Sequence, residues 1–342
     1  MDAEKLNNYL EQHLDGFQGP MTLEKFAGGQ SNPTFLITAA SGKYVLRRKP
    51  PGLLLKSAHA VDREYQVTRA LADTDVPVAI PRHLCLDEDV IGSWFYVMDY
   101  MDGRIFWDPA LPEVSKAERT NIYHEMNRVL AAIHSVDLAK HGLLDYGKPG
   151  NYFDRQVGRW TKQYKASETE HIAPMEQLID WVSQNIPPDD GPENNKVSLI
   201  HGDYRLDNFI FHPTKPEIIA VVDWELSTLG HPMADLAYQA MQWRLPHNAG
   251  VRGLDGVDRK ALGIPTEEEY RREYAARTGE EDNGHWPFYL AFSFFRLAAI
   301  LQGVMKRSLD GNASNAQAAE TGKFVRPLAE KAIAILKEQQ KI

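Results

Sequence analysis

The sequence predicts an α+β fold, with a small β-rich N-terminal lobe containing one main helix and a larger, mostly helical C-terminal lobe. Short apolar runs separated by glycine and proline fill the first hundred residues, which is typical of strands joined by turns. After Gly103 the apolar residues recur at helical spacing. A chain of 342 residues is long enough for two lobes. We predict an N-terminal lobe over residues 1–100, a C-terminal lobe over residues 101–342 and a hinge near residues 99–103.

The N-terminal lobe is predicted to hold a short amphipathic helix, five strands and the main helix. The first helix falls within residues 1–20. A turn at Gly28–Pro33 joins the first two strands as a hairpin, and Ser57 is expected to cap the main helix, which runs to Leu71. The five strands are expected at Leu23–Phe26, Thr34–Thr38, Tyr44–Leu46, Arg82–Leu86 and Trp94–Tyr100.

The C-terminal lobe is predicted to be helical apart from two short strands, at Ser198–Ile200 and Ile218–Val222. Its most apolar stretch, Phe288–Met305, is interrupted by Arg296 and Gln302. Because a bilayer tolerates such groups poorly, we expect a buried helix there and not a membrane span. Helical spacing occurs over residues 115–140, 152–186, 231–245, 265–277, 286–307 and 313–339.

Charge and cysteine usage narrow the class of partner and the compartment. A net charge of −9 disfavours nucleic acid and anionic membranes as partners, because both require clustered positive charge. Cys85 is the only cysteine, which excludes an intrachain disulfide and a cysteine-based zinc cluster. The N-terminal residues lack the pattern of a signal peptide. We therefore expect a cytoplasmic protein in which Cys85 is a buried structural thiol.

The segment that carries chemistry has the spacing of a kinase catalytic loop. A short apolar strand runs into His201, Gly202 and Asp203, Asn208 follows after four further residues, and Asp223 ends a second apolar strand. Such a loop directs one carboxylate to the substrate hydroxyl and, one turn later, an amide oxygen to a metal. Carboxylate and amide oxygens are hard ligands suited to Mg²⁺. Any one of these could be an ordinary turn residue, but their joint spacing favours the functional interpretation.

These motifs resemble the signature of the aminoglycoside phosphotransferase family, the small-molecule branch of the protein-kinase-like fold. The runs HGDYRLDNF, from His201, and VVDWELSTLGHPMADLAY, ending at Tyr238, are similar to the kinase-like domain fused to some acyl-CoA dehydrogenases. The resemblance covers residues 20–310. It implies a bilobal protein-kinase-like fold, ATP and Mg²⁺ as cofactors, and a small-molecule hydroxyl acceptor.

The resemblance also implies roles for individual residues. Asp203 corresponds to the catalytic base, and Asn208 and Asp223 correspond to the Mg²⁺ ligands. Asp235 resembles an acid that braces the backbone of the catalytic loop. Arg205 stands two positions after Asp203, where many protein kinases place a lysine on the γ-phosphate, and both a phosphate contact and simple solvent exposure are open for it.

The nucleotide is expected to meet the glycine-rich turn and the third strand. Backbone N–H groups near Gly29 could cover the phosphates, with Ser31 and Asn32 as further donors. Strand alternation puts Val45 and Arg47 on one face, so Val45 could cover the adenine while Arg47 reaches the phosphates. The position of Arg47 is lysine in most kinases, and the planar fork of arginine changes the geometry of the phosphate contact.

Three further residues complete the predicted nucleotide site. Glu64 shares an otherwise apolar stripe of the main helix with Val67, so it needs a buried partner, for which Arg47 is the candidate. An exposed Glu64 on a rotated helix is the alternative. By resemblance to kinases, the Asp99 carbonyl and the Met101 N–H are expected to hold adenine at the hinge.

Together these features predict in-line transfer of the ATP γ-phosphoryl group to a hydroxyl group of a small molecule. The acceptor stays open between an aminoglycoside-like compound and a hydroxyacyl metabolite. Trp243, Arg244 and His247 either line the acceptor pocket or serve as a packing tryptophan with surface neighbours. The alternative function is a non-catalytic nucleotide-binding scaffold on a kinase fold.

Overall fold

The computed structural model of this chain describes residues 1–26, 32–50, 60–188, 196–247, 252–310 and 318–342. The chain forms two compact units. The first contains Met1–Ile105, Asp137–Tyr146 and Asp207–Ser227, and the second contains Phe106–Val136, Gly147–Leu206 and Thr228–Ile342. The predicted α+β fold, with a β-rich part and a helical part, is confirmed. The predicted lobe boundary between residues 100 and 101 stays a prediction, and the first unit also takes in two later segments.

The first unit is built on a five-stranded antiparallel sheet. Its strands are β1 (Met21–Lys25), β2 (Thr34–Ala39), β3 (Gly42–Arg48), β4 (Pro81–Cys85) and β5 (Phe95–Asp99). They lie in the order β1-β2-β3-β5-β4, so the predicted hairpin followed by a third strand is confirmed. The α-helices described beside this sheet are α1 (Ala3–His13), α2 (Val61–Leu71) and α3 (Glu88–Ile91).

The core of the first unit joins α1 to the sheet. Asp2 caps α1 because its carboxylate accepts hydrogen bonds from the backbone N–H groups of the first turn. Leu6 and Leu10, four residues apart, are buried together with Phe95 of β5. Each such side chain contributes about 1.5–3 kcal/mol by leaving water. Cys85 belongs to the same core and is 2% exposed, which confirms the predicted buried thiol.

Four short strands form two further antiparallel pairs. They are β6 (Ser198–Ile200), β7 (Phe209–Phe211), β8 (Ile218–Val221) and β9 (Thr228–Gly230). β7 pairs with β8 in the first unit, and β6 pairs with β9 in the second. Asn208 therefore lies directly before β7, and Asp223 lies two residues after β8.

Gly103 allows the chain that leaves β5 to pass close to β7. A Cβ atom at this position would lie 2.3 Å from the carbonyl oxygen of Phe211. The next residue, Arg104, exchanges two backbone hydrogen bonds of 2.8 Å with Phe211, and its Nε donates to the His212 carbonyl oxygen at 3.0 Å. The segment predicted as the hinge is thus fixed to the hairpin that follows Asn208.

The second unit is helical and is organised around one long apolar helix. Its helices are α4 (Lys116–His134), α5 (Tyr152–Ser167), α6 (Ala173–Gln184), α7 (Met233–Ala240), α8 (Arg259–Leu262), α9 (Glu267–Thr278), α10 (Trp286–Leu309), α11 (Ala318–Gly322) and α12 (Val325–Glu338). α10 packs against α12, α5, α7 and α6. It is long and apolar enough to cross a membrane, but 72% of its apolar window is buried within the protein. The predicted buried helix is confirmed.

Several predicted boundaries were wrong. The predicted helix cap Ser57 lies outside the described residues; α2 begins at Val61, and its N-cap Ala60 makes no side-chain hydrogen bond. The helical pattern over residues 152–186 is two helices, because Glu168 leaves the helical backbone region (φ −58°, ψ 126°) and Pro174 lies in the first turn of α6. Proline lacks a backbone N–H, so within a helix it is best tolerated in the first turn, where the N–H groups have no intrahelical acceptor. The short elements α3, α8, β7 and β9 were not predicted.

Candidate active site

Arg47, in β3, is surrounded by carboxylates of the first unit. Its Nε lies 2.8 Å from Oε2 of Glu64, and its Nη2 lies 2.5 Å from Oδ1 of Asp223 and 3.8 Å from Oε2 of Glu225. The Asp223 contact is a hydrogen bond, whereas the Nε–Glu64 contact is an ion pair whose N–H is not aligned with the oxygen. The predicted pairing of Arg47 with Glu64 is confirmed.

Glu64 is a buried carboxylate that several donors satisfy. Its side chain is 2% exposed, so the alternative of an exposed Glu64 is wrong. Asn32 donates from Nδ2 to Oε1 at 2.7 Å, and the Tyr96 hydroxyl donates to Oε2 at 3.2 Å. Burial raises the pKa of Glu64, and the charge of Arg47 and the Asn32 hydrogen bond lower it in part. These donors hold Glu64 in place beside Arg47.

The charge of Arg47 is fixed by these neighbours. Burial alone would lower the pKa of Arg47, but the Glu64 and Asp223 carboxylates outweigh that effect and raise the pKa above its ordinary value. The planar guanidinium group contacts both acids at once from different nitrogens. A lysine ammonium is a single point charge and lacks that fork. The arginine therefore suits a position between two carboxylates.

Asp223 and Asn208 are the predicted metal ligands, and that role stays a prediction. Asp223 has left-handed backbone angles, φ 65° and ψ 55°, a conformation that is strained for a residue with a side chain and is common at functional sites. Its side chain is 35% exposed. The N–H of Val222 donates to the Asn208 carbonyl at 2.9 Å, which brings the two strand ends together. One carboxylate and one amide oxygen on adjacent strand ends fit a hard divalent cation such as Mg²⁺.

The other predicted nucleotide residues also belong to the first unit, and their roles stay predictions. Val45 is 9% exposed. The Asp99 carboxylate accepts two hydrogen bonds of 2.7 Å from Arg82, so the side chain is engaged and only the backbone is a candidate for adenine. Met101 follows β5 and is half-buried. The predicted donors Gly29 and Ser31 lie outside the described residues, while the Asn32 side chain is directed to Glu64.

The His201–Asp203 loop belongs to the second unit, and Asp235 holds its backbone through hydrogen bonds. The buried carboxylate of Asp235 accepts from the backbone N–H of His201 at 2.6 Å and of Gly202 at 2.8 Å. His134 Nε2 lies 3.4 Å from the same carboxylate. Burial would raise the pKa of Asp235, but the hydrogen bonds and nearby histidines lower it below its ordinary value. The loop-bracing arrangement implied for Asp235 is present.

Asp203, the predicted base, is hydrogen-bonded by a tyrosine of α7. The Tyr238 hydroxyl makes a side-chain hydrogen bond to Asp203, and burial together with the Asp203 charge raises the pKa of Tyr238. Arg205 is half-buried and its charge acts on Tyr238 in the opposite sense. Asp203 thus accepts a hydrogen bond from a neutral hydroxyl group. The catalytic roles of Asp203 and Arg205 stay predictions.

Three residues that contact the predicted site residues were not predicted from the sequence: Tyr96, Tyr238 and His134. Tyr96 stands opposite Arg47 in the β3–β5 register, and strand alternation could have indicated it. Tyr238 lies one helical turn after Asp235, on the same side of α7. His134 is distant in sequence, and nothing in the sequence connects it to the loop.

The three residues considered for the acceptor pocket, Trp243, Arg244 and His247, make contacts within the second unit. Trp243 is 4% exposed and donates from Nε1 to the Pro265 carbonyl at 2.7 Å, so the packing interpretation is right for it. Arg244 pairs with Glu267 at 2.7 Å. His247 lies 3.1 Å from the Asp108 carboxylate.

Comparison with known proteins identifies the family of this chain. The model of the phosphotransferase enzyme family (APH) matches residues 22–292. The chain is 50% identical over 327 residues to acyl-CoA dehydrogenase family member 10 of Mus musculus, covering 94% of this chain and 30% of that protein. It is 44% identical to family member 11 of Rattus norvegicus, covering 96% of this chain and 42% of that protein. The chain therefore spans less than half the length of these relatives.

Solved structures show the same fold. A Ralstonia eutropha protein assigned to the aminoglycoside phosphotransferases is 54% identical, with a TM-score of 0.90 and 98% of each chain covered. Spectinomycin phosphotransferase APH(9)-Ia, in complex with ADP and spectinomycin, is 14% identical with a TM-score of 0.63 and 98% of each chain covered. The latter likeness concerns the fold alone. By its family match and its relatives, this chain is a member of the phosphotransferase enzyme family, with the fold of the small-molecule phosphotransferases.

Proposed function

We propose that the chain transfers the γ-phosphoryl group of Mg·ATP to a hydroxyl group of a small molecule. The observation that carries the proposal is the set of contacts that Arg47 makes with Glu64 and Asp223. These contacts join the cation that we propose to bind phosphate, its buried partner Glu64 and the carboxylate that we propose to bind the metal, all within the first unit. The presence of ADP or AMP-PNP in structures of the same fold supports a nucleotide as the donor.

Positioning and charge neutralisation carry the proposed reaction. Asp223 and Asn208 would hold Mg²⁺, which neutralises negative charge on the phosphate oxygens. Arg47, kept charged by its two acids, contacts the phosphates. Asp203 orients the acceptor hydroxyl and takes its proton as the oxygen bonds to the γ-phosphorus. The bond from that phosphorus to the bridging oxygen breaks at the same time, and ADP leaves with the bonding electrons.

The acceptor we propose is a hydroxyacyl compound. The chain is 50% identical to part of a protein named as a member of the acyl-CoA dehydrogenase family, and a kinase joined to such an enzyme would act on a related acyl substrate. The aminoglycoside phosphotransferases with bound antibiotic are only 14% identical. Their names therefore carry less weight for the acceptor than the relatives' names do.

A screen of acceptor classes tests the proposal. ADP release would be measured with Mg·ATP and, separately, hydroxyacyl-CoAs, free hydroxy acids, sugars and aminoglycosides, and phosphorylated products would be identified by mass spectrometry. Reactions with EDTA in place of Mg²⁺ are the control. We expect magnesium-dependent ADP release and a phosphorylated hydroxyacyl product. Magnesium-dependent ATP binding with no product in any class would instead support a non-catalytic scaffold.

A further inference from the structure

Arg296 is a buried cation that takes no part in the reaction proposed above. It lies in the apolar helix α10 and is 5% exposed. Among the described residues no carboxylate lies within ion-pair distance of it, and its Nε is buried without a hydrogen-bond partner. Burying an unpaired charge is costly, so such a group is retained only where its surroundings compensate.

Arg296 contacts the backbone of the His201–Asp203 loop. Nη2 of Arg296 donates to the carbonyl oxygen of Gly202 at 2.5 Å. Gly202 has a left-handed φ of 84°, and its N–H is already held by Asp235 at 2.8 Å. The Asp235 carboxylate therefore holds the N–H of Gly202, and the Arg296 guanidinium group holds its carbonyl oxygen. Fixing both leaves little freedom for the direction in which the chain enters Asp203.

Two aromatic rings hold Arg296 in place, and one of them reaches Asp203. The guanidinium carbon lies 5.2 Å from the ring centroid of Tyr238 and 5.7 Å from that of Trp160, distances at which a cation is attracted to a ring face. The hydroxyl group of Tyr238 hydrogen-bonds Asp203, and the charge of Arg296 lowers the pKa of that hydroxyl against the raising effect of burial. A cation over the ring thus makes Tyr238 a better donor to the carboxylate.

We propose that Arg296 and Tyr238 are positioning residues for Asp203. Arg296 fixes the Gly202 carbonyl, and through the Tyr238 ring it strengthens the donor that orients the Asp203 carboxylate. Neither residue touches substrate in this scheme. The inference rests on the proposed function, because it takes Asp203 to be the base.

The test combines a kinetic and a conformational measurement on the full chain. The variants are Tyr238→Phe, which keeps the ring and removes the hydroxyl, and Arg296→Lys, which keeps a charge and removes the fork. Tyr123→Phe and Arg119→Lys are matched controls in the same unit, since Tyr123 donates to the Pro109 carbonyl and Arg119 donates only to backbone carbonyls. Amide hydrogen exchange of a peptide covering residues 198–208 is measured for each, with kcat and KM for ATP on the best acceptor of the screen.

Tyr238→Phe is expected to lower kcat by roughly 10- to 100-fold, the effect of losing one hydrogen bond to a charged group, with loop exchange unchanged. Its KM for ATP should stay within about twofold of wild type, because the substitution removes no contact with bound ATP. Arg296→Lys should lower kcat and also speed exchange of the loop amides by at least about tenfold. Neither control should change kcat or loop exchange.

Wild-type kcat and loop exchange in Tyr238→Phe and Arg296→Lys, matching the two controls, would overturn the proposal. A uniform fall in kcat across all four variants would do so too, since it would indicate a general loss of stability. If the wild type phosphorylates no acceptor, the proposed function fails by itself. The loop-exchange comparison then decides whether Arg296 positions the loop: faster exchange in Arg296→Lys alone supports it, and unchanged exchange refutes it.

Discussion

Nη2 of Arg47 lies 2.5 Å from Oδ1 of Asp223, so the predicted phosphate-binding cation is hydrogen-bonded to the predicted metal ligand. The same guanidinium group pairs with the buried Glu64 at 2.8 Å. Two acids thus set the position of one arginine. In the proposed reaction Asp223 would help to hold Mg²⁺, which supplies positive charge near the phosphates, and Arg47 would supply a second positive charge.

Arg47→Lys should weaken ATP binding. The lysine ammonium cannot contact Glu64 and Asp223 from separate nitrogens of a planar fork, so one charge-assisted contact is lost. The displaced ammonium should also lose a charge-assisted contact to phosphate, which is worth about 1.5–3 kcal/mol and corresponds to a rise of roughly tenfold or more in KM for ATP. Steady-state kinetics at saturating acceptor measure it. Arg48→Lys, on the opposite face of β3, is the control, and equal KM values for both variants would contradict the assignment.

Asp223→Asn should raise the magnesium concentration needed for activity. An amide oxygen carries no formal charge and binds Mg²⁺ more weakly than a carboxylate. The measurement is initial rate against free Mg²⁺ at fixed ATP, and we expect the half-saturating concentration to rise by roughly tenfold or more. Glu225→Gln is the control, because Glu225 lies 3.8 Å from the same Arg47 nitrogen. An unchanged magnesium curve for Asp223→Asn would remove Asp223 from the metal site.

Gly103→Ala should destabilise the first unit. The added Cβ would lie 2.3 Å from the Phe211 carbonyl oxygen, which is backbone and cannot rotate away. We expect the free energy of unfolding in urea to fall by about 1–3 kcal/mol. Gly158→Ala, in α5, is the matched substitution: its Cβ would meet nothing within 4 Å, and alanine should stabilise the helix by about 0.5–1 kcal/mol. Equal effects of the two substitutions would refute the close approach.

Asp235→Asn should remove part of the pH dependence of stability. The pKa of Asp235 is lowered in the folded protein, so its ionised form stabilises the fold above the unfolded pKa of about 4, and that contribution is lost as pH falls through the folded value. The difference in unfolding free energy between wild type and variant should be largest near neutral pH and shrink below about pH 4. Urea unfolding at several pH values measures it.

An exposed aspartate provides the comparison for that experiment. Asp258 caps α8 through the N–H of Ala261, and asparagine can replace it as a cap. Asp258→Asn should change stability by less than about 0.5 kcal/mol at any of these pH values. If the Asp235→Asn difference were equally flat across pH, the ionised carboxylate would not be the group that holds the loop.

The sequence was most informative where spacing and chemistry coincide. The β1–β2–β3 arrangement, the buried position of Glu64 and its pairing with Arg47 followed from alternation and from the need of a buried acid for a partner. β7 and β9 have three residues each, and three residues show no periodicity from which a strand can be predicted. β6 is equally short but could be predicted, because its apolar run leads directly into His201, Gly202 and Asp203.

Contacts between distant segments were equally out of reach. Arg296 was noted only as an interruption of an apolar stretch, and its hydrogen bond to Gly202 joins residues 94 positions apart. Asn32 was assigned to phosphate as a turn residue, although its side chain donates to Glu64. In both cases tertiary packing, and not the local pattern, decides the partner.

The most direct test of the account is a comparison of binding and turnover in Asp203→Ala. Mg·ATP affinity measured by calorimetry should stay within about twofold of wild type, because the nucleotide residues belong to the first unit and remain unchanged. Transfer to the acceptor should fall by roughly 10²–10⁴-fold, the usual effect of losing a general base. Turnover at the wild-type rate in this variant would contradict the central claim.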